Sequence, residues 1–289
     1  MATRVGHIGL GSMGKIMARN QISVGFSLTV FDIRKEPMRE LEPLGAVTAS
    51  SAKEVAERSE IVCISVVDDV QVKEVMLGSE GVLAGARPGL VVAIHSNVQP
   101  KTAHKIGALA DKLGVGVIDA TVSGAQFGAE ARTLCFMVGG DKALLERCRP
   151  VFEASGPHIF HMGPLGTGGA MKLAQQVIFC LNRLAAYEGM VLAEKAGVDL
   201  RAAQEALHWT LGQSHVTDHW LERYRDTEPD KRRIFTTILH SVSHALELAY
   251  DLGVPLPASA LMQQLFPVEH PKDMAYSPRR RYNLTVKGE

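Results

Sequence analysis

Val5-Gly6-His7-Ile8-Gly9-Leu10-Gly11-Ser12-Met13-Gly14 is the stretch that decides the fold of this chain. The apolar run Arg4–Leu10 predicts a strand, and the spacing over Met13–Val24 predicts a helix. Between them the glycines spell G-x-G-x-x-G. Gly9 permits a tight turn, Gly11 lets the backbone approach a pyrophosphate, and Gly14 lets helix and strand pack closely. The helix start then offers unpaired N–H groups to phosphate oxygens. A second predicted strand, Leu28–Phe31, ends in Asp32, about 20 residues on, where a carboxylate accepts hydrogen bonds from ribose hydroxyls. The order strand, glycine turn, helix, strand, acid points to a dinucleotide site built from Gly9, Gly11, Ser12, Met13, Gly14, Asp32 and Arg34. A carboxylate repels a 2′-phosphate, so NAD is expected over NADP. Arg34 either offsets that repulsion in part or stacks on the adenine ring.

Outward from this unit, apolar runs alternate with helical patterns. Ala52–Arg58 reads as helix; Ile61–Val67, Val91–Ile94, Gly116–Asp119 and Cys135–Val138 read as strands. That alternation predicts a mostly parallel sheet with helices on both faces, an α/β fold of Rossmann type. The pattern changes after residue 165. One helical run spans 165–196, Gly197 and Asp199 read as a stop and a new N-cap, and helices are expected near 200–211, 215–225, 232–252 and 257–266. The expected organisation is a nucleotide-binding domain over 1–164 and an all-α C-terminal domain over 165–289 that includes the long joining helix.

Composition narrows the partners. The 289 residues carry 31 basic and 31 acidic side chains, so no electrostatic force draws the chain to nucleic acid or an anionic membrane. Arg279-Arg280-Arg281 reads as a solvated tail. No apolar run reaches the ~18 residues of a membrane span, and none resembles a secretory leader. Cys63, Cys135, Cys148 and Cys180 form no CxxC pair and read as small buried hydrophobes of a reduced, cytoplasmic protein.

Two further stretches carry chemistry. Asp119-Ala-Thr-Val-Ser123-Gly124-Ala125-Gln-Phe-Gly128-Ala129, directly after a strand, is either an ordinary turn or a cradle for a substrate carboxylate, built from small residues and the Ser123 hydroxyl. Gly163-Pro-Leu-Gly166-Thr-Gly168-Gly169-Ala-Met-Lys172-Leu-Ala-Gln-Gln176 opens the long helix with a lysine in its second turn. With the first glycine turn, and with His95-Ser96-Asn97-Val-Gln-Pro100, these stretches resemble the β-hydroxyacid dehydrogenases, the group around 3-hydroxyisobutyrate and 6-phosphogluconate dehydrogenases. The likeness runs from about residue 4 to Pro257.

The resemblance implies roles. Lys172 falls on the family's catalytic lysine, the general base for alcohol oxidation and general acid for carbonyl reduction. Ser123 and Gly124 match the carboxylate-binding turn. Val66, Val67 and Asn97 fall on cofactor positions. The family's helical domains pair, which implies a homodimer or homotetramer, and a small carboxylate is the implied substrate. Departures fall on the substrate side. Gln176 stands where the family has asparagine, Ala125 where it has glycine, and Thr121 where it has proline. His240 and Ser241 stand in place of a Lys-Asp pair, which makes His240 a candidate site residue that titrates near neutrality. A ketone or imine reductase on the same scaffold, and a non-catalytic dinucleotide-binding protein, are the competing readings. The pairs His215/His219 and His240/His244 have i,i+4 spacing but lack an acidic partner in a metal-binding pattern, so no metal is expected.

Overall fold

In the first half, short apolar runs become strands, the central ones apolar on both pleat faces. The computed structural model describes residues 3–225 and 231–265, with side chains of the 231–265 segment described over 242–264. Among these, one eight-stranded sheet comprises β1 (Arg4–Ile8), β2 (Ser27–Phe31), β3 (Val47–Thr48), β4 (Ile61–Ile64), β5 (Val91–Ile94), β6 (Gly116–Ser123), β7 (Cys135–Gly139) and β8 (His158–Gly163). The spatial order is β3-β2-β1-β4-β5-β6-β7-β8. Every neighbouring pair is parallel except β6 and β7.

β4 and β5 are buried at every residue, as expected for central parallel strands covered on both sides. Side chains alternate between two cores. Ile61, Cys63, Val91 and Ala93 join one cluster, while Val62, Ile64, Val92 and Ile94 join the other. The helices that cover these faces are α1 (Gly14–Ser23), α2 (Lys35–Leu41), α3 (Ala52–Arg58), α4 (Asp69–Leu77), α5 (Val82–Gly85), α6 (Pro100–Asp111), α7 (Ala125–Glu130) and α8 (Lys142–Glu153).

The long helix α9 (Thr167–Lys195) follows, then α10 (Leu200–Leu207), α11 (His215–Asp218), a π-helical turn over Trp220–Tyr224, α12 (Lys231–Leu252) and α13 (Pro257–Leu265). The chain divides into two compact units, Met1–Lys172 and Leu173–Glu289. That division falls eight residues beyond the expected boundary at 164, because the first turn of α9 is hydrogen-bonded to β6. Within the second unit, Cys180, Val242 and Met262 form one small core, and Ala186, Met190, Val216 and Trp220 form another.

Other expectations shift for local reasons. Asp119–Ser123, read as the start of a turn, continues β6, because β7 pairs with it from Ser123 opposite Cys135 to Asp119 opposite Gly139. The helix expected over 200–211 stops at Leu207, and the one over 215–225 breaks at His219, whose backbone leaves the helical region (φ −125°, ψ 26°). Among the described residues no helix is long and apolar enough to cross a membrane. All four cysteines are free thiols; three are buried and Cys135 is half-exposed, unlike the buried state expected of it.

Candidate active site

Parallel strands put their C-terminal ends on one edge of the sheet, and the candidate residues of the first unit gather there. The glycine turn follows β1, Asp32 follows β2, Val66 and Val67 follow β4, His95–Asn97 follow β5, and Ser123 and Gly124 close β6. The strand order reverses at β1, with β2 on one side and β4 on the other, which opens a crevice at that edge.

Each glycine of the turn meets a distinct constraint. Gly9 has φ +87°, and a Cβ there would lie 2.5 Å from the Ser65 carbonyl oxygen. A Cβ on Gly14 would collide with the carbonyl oxygen of Gly9, so helix and turn touch backbone to backbone. A Cβ on Gly11 would meet nothing within 4 Å. Gly11 therefore leaves open space above the turn, which a side chain would fill and a pyrophosphate can occupy. Helix α1 begins there with no side-chain cap and no acid in its first turn, so its positive end is unneutralised. This fits a dinucleotide. Ser12 is exposed and Met13 half-buried.

Asp32 is 7% exposed and is tied to the turn. Its Oδ2 accepts the Leu10 N–H at 2.7 Å. Its Oδ1 accepts the Arg34 N–H at 2.9 Å and Nε–H at 3.2 Å, while Arg34 Nη2 lies 3.4 Å from Oδ2. Burial alone would raise this carboxyl, but the hydrogen bonds from Arg34 and Leu10 outweigh it and hold the group below its ordinary range. Four donors occupy roughly all the acceptor positions of the carboxylate, a saturation that sequence reading missed. On the neighbouring strand ends, Val66 donates its N–H to Ser96 Oγ at 2.9 Å, and Val67 is exposed. Asn97 is half-buried.

Ser123 and Gly124 stand half-buried at the end of β6, and Gly124 takes φ +133°. Ala125 also has a positive φ, +53°, at the position where the resemblance calls for glycine. An L-residue there carries roughly 1–2 kcal/mol of strain.

Lys172 is 7% exposed. Burial raises the Cys135 thiol, and the charge of the Lys172 ammonium pulls against that rise. Cys135 is the Cα partner of Ser123 in the β6–β7 register. The lysine and Ser123 are thus both referenced to β6, the lysine through the helix start hydrogen-bonded to Asp119 and Thr121. Gln176 is half-buried one turn further along α9, in the second unit. His240 lies on α12, with its side chain outside the described residues. In the second unit His215 and His219 have ring centroids 4.4 Å apart. Among the described residues no group of three His, Cys, Asp or Glu side chains is placed to hold a metal.

Sequence reading also missed a buried polar cluster under the sheet edge. His7 Nδ1 lies 3.1 Å from Gln21 Oε1, and His7 Nε2 lies 3.1 Å from Ser65 Oγ. Gln21 donates to Cys63 Sγ at 3.6 Å, so its oxygen accepts from Nδ1–H, and Nε2 takes the serine proton. His95 donates from Nδ1 to the Ala120 carbonyl at 2.7 Å, and its Nε2 has no partner among the described residues. Desolvation pushes His7 down to about 3 and His95 down to about 4, so both rings are neutral. Histidine inside a strand looks like an ordinary polar position; only the fold reveals that these two are enclosed.

Comparison with known proteins identifies the family. The family model for the NAD binding domain of 6-phosphogluconate dehydrogenase matches residues 4–163. A second, for the NAD-binding region of NADP-dependent 3-hydroxyisobutyrate dehydrogenase, matches residues 166–275. The 2-hydroxy-3-oxopropionate reductase of Escherichia coli is 37% identical, covering 91% of this chain and 90% of its own. The 2-(hydroxymethyl)glutarate dehydrogenase of Eubacterium barkeri is 32% identical, covering 91% and 88%. Among solved structures, 3-hydroxyisobutyrate dehydrogenase of Mycobacterium tuberculosis with L-serine superposes with a TM-score of 0.81 at 27% identity, covering 92% of each chain. The chain belongs to the β-hydroxyacid dehydrogenase family and is an NAD(P)-dependent oxidoreductase acting on hydroxyl groups.

Proposed function

We propose that this oxidoreductase interconverts a β-hydroxyacid and its carbonyl acid, with NAD as the preferred cofactor and Lys172 as the proton-transfer group. Two relatives support the substrate class by the chemistry of their names. In 2-(hydroxymethyl)glutarate and in 2-hydroxy-3-oxopropionate alike, the reacting carbon is β to a carboxylate. A carboxylate binder and a proton-transfer group must then sit a short, fixed distance apart.

The observation that supports the reading is a buried Lys172 on the helix turn that β6, the strand ending in Ser123, holds by hydrogen bonds. The Ser123 hydroxyl and the backbone N–H groups of the Gly124 turn hold the substrate carboxylate. Lys172 takes the hydroxyl proton in oxidation and returns it to the carbonyl oxygen in reduction. The dinucleotide, when bound along Gly9–Gly14, accepts or supplies the hydride. Asp32 receives the adenosine ribose after Arg34 swings off it, and Val66, Val67 and Asn97 line the rest of the cofactor path. Gln176 in place of asparagine, and His240 in place of lysine, are proposed to adapt the site to a particular acid. Exposed Leu192, Trp209 and Tyr250 in the helical unit favour a homo-oligomer.

Lys172→Ala is expected to bind NADH with unchanged affinity, read by fluorescence titration, and to lose about 10²–10⁴-fold in kcat. Wild-type turnover by that variant would remove the lysine from the mechanism. A substrate panel of β-hydroxyacids, simple ketones and cyclic imines, followed by NADH absorbance, tests the substrate class. Preference for a neutral imine or ketone over every acid would overturn it.

A further inference from the structure

The geometry points to Asp119 and Thr121 as positioning residues for Lys172, fixing the first turn of α9 against β6; this rests on the proposed role of the lysine. An isolated helix start leaves its first N–H groups unsatisfied, and the usual remedy is a side chain one or two residues ahead. Here the cap comes from a strand about 50 residues upstream. The carboxylate of Asp119, 1% exposed, accepts the Gly166 N–H at 2.7 Å through Oδ1 and the Gly169 N–H at 2.6 Å through Oδ2. Thr121, fully buried, donates its hydroxyl to the Gly168 carbonyl at 2.9 Å, with the Met137 carbonyl 3.2 Å away on the sheet. One strand thus holds both a donor and a carbonyl of the same helical turn.

The helix cannot slide past this grip. A Cβ on Gly168 would lie 2.5 Å from the Asp119 carbonyl oxygen and 2.6 Å from that of Met137. The turn lies backbone against backbone on β6 and β7, with no side chain to act as a bearing. Lys172 is three residues beyond Gly169, on the same helix face and about 4.5 Å further along the axis. With the helix start fixed in position and rotation, the stem of the lysine leaves the helix at a set place. Ser123 belongs to the same strand that sets it, so one rigid rod references both the carboxylate cradle and the proton-transfer group.

Positional errors of about 1 Å at a reacting group cost on the order of 100-fold in rate. Thr121→Val, which keeps shape and removes the hydroxyl, is expected to lower kcat by about 10–100-fold, with substrate KM within about threefold. NADH affinity should stay unchanged, and Thr121→Ser should restore most of the lost kcat. Asp119→Asn, which leaves one cap bond without an acceptor, should behave like Thr121→Val; if it fails to fold, the threonine pair carries the test. A structural effect alone would multiply with any other loss, whereas an effect acting through the lysine disappears once the lysine is gone. In a Lys172→Ala background, Thr121→Val should therefore change the residual rate by less than about twofold. Wild-type kcat for Thr121→Val, or the same fold-loss with and without Lys172, overturns the assignment. Wild-type turnover by Lys172→Ala alone instead overturns the reading on which it rests.

Discussion

Asp32 shows how far a single residue can be read before its neighbours are known. Its place at the end of β2 is legible in the sequence because strand, spacing and residue type are all local. What is not legible is that Leu10 and Arg34 already use its lone pairs. Because the Arg34 side chain is 58% exposed, solvent screens its ion pair with Asp32, and on the proposed reading the pair gives way to a ribose. On the proposed reading, displacement of Arg34 leaves the buried carboxylate facing the ribose 2′ position, where it disfavours a phosphate. Asp32→Ser, with Arg34 retained, is expected to shift the ratio of kcat/KM for NAD over NADP by about tenfold or more toward NADP, equivalent to roughly 1.4 kcal/mol. Steady-state kinetics with both cofactors measures this, and an unchanged ratio would mean Asp32 does not read the ribose.

At the scale of elements, strands β4 and β5 were readable because burial on both faces demands unbroken apolar runs. Two-residue β3 is too short to leave a pattern, and β8 is an edge strand, largely exposed, whose two histidines mask it. The continuation of β6 through Ser123 depends on β7, a partner further down the chain, and no local signal announces it. The same holds for the start of α9. Its glycines read as turn formers, while in the structure their lack of side chains is what lets the helix rest on the sheet. Gly168→Ala gains up to about 1 kcal/mol of intrinsic helix propensity but drives a methyl group into two backbone carbonyls. The clash wins, since neither carbonyl can rotate away from its strand pairing. Urea unfolding is expected to show a net loss of about 1–3 kcal/mol, and a stabilised variant would show that the turn is not held against the sheet.

Across the whole molecule, the enclosed histidines make stability depend on acidity. The folded chain refuses protons at His7 and His95 down to about 3 and about 4, whereas an unfolded imidazole takes one near 6.5. Between those values the unfolded state binds more protons than the folded one, so stability is complete above pH 6.5 and is lost as pH falls toward 4 and below. Each ring contributes a slope of up to about 1.4 kcal/mol per pH unit in that window. His95→Gln, which keeps a donor for the Ala120 carbonyl, should flatten the fall between pH 6.5 and 4 by about that slope. Denaturant midpoints at pH 7, 6 and 5 measure it, and an unaltered pH slope would assign the sensitivity elsewhere. The two-part organisation was readable at this scale from the change in periodicity after residue 165. The boundary was not, because the hydrogen bonds that carry the first turn of α9 into the first unit link residues nearly 50 positions apart.

The span of β6 has a consequence for substrate size. Four steps of extended chain separate Asp119 from Ser123, about 13 Å, while α9 climbs only about 4.5 Å from Gly169 to Lys172. The molecule therefore carries a built-in gauge whose graduations are strand residues. Lengthening that gauge by two positions would keep every side chain on its face but open the gap by nearly 7 Å, so with Ser123 and Lys172 in their proposed roles a longer acid calls for a recut ruler as well as a wider pocket.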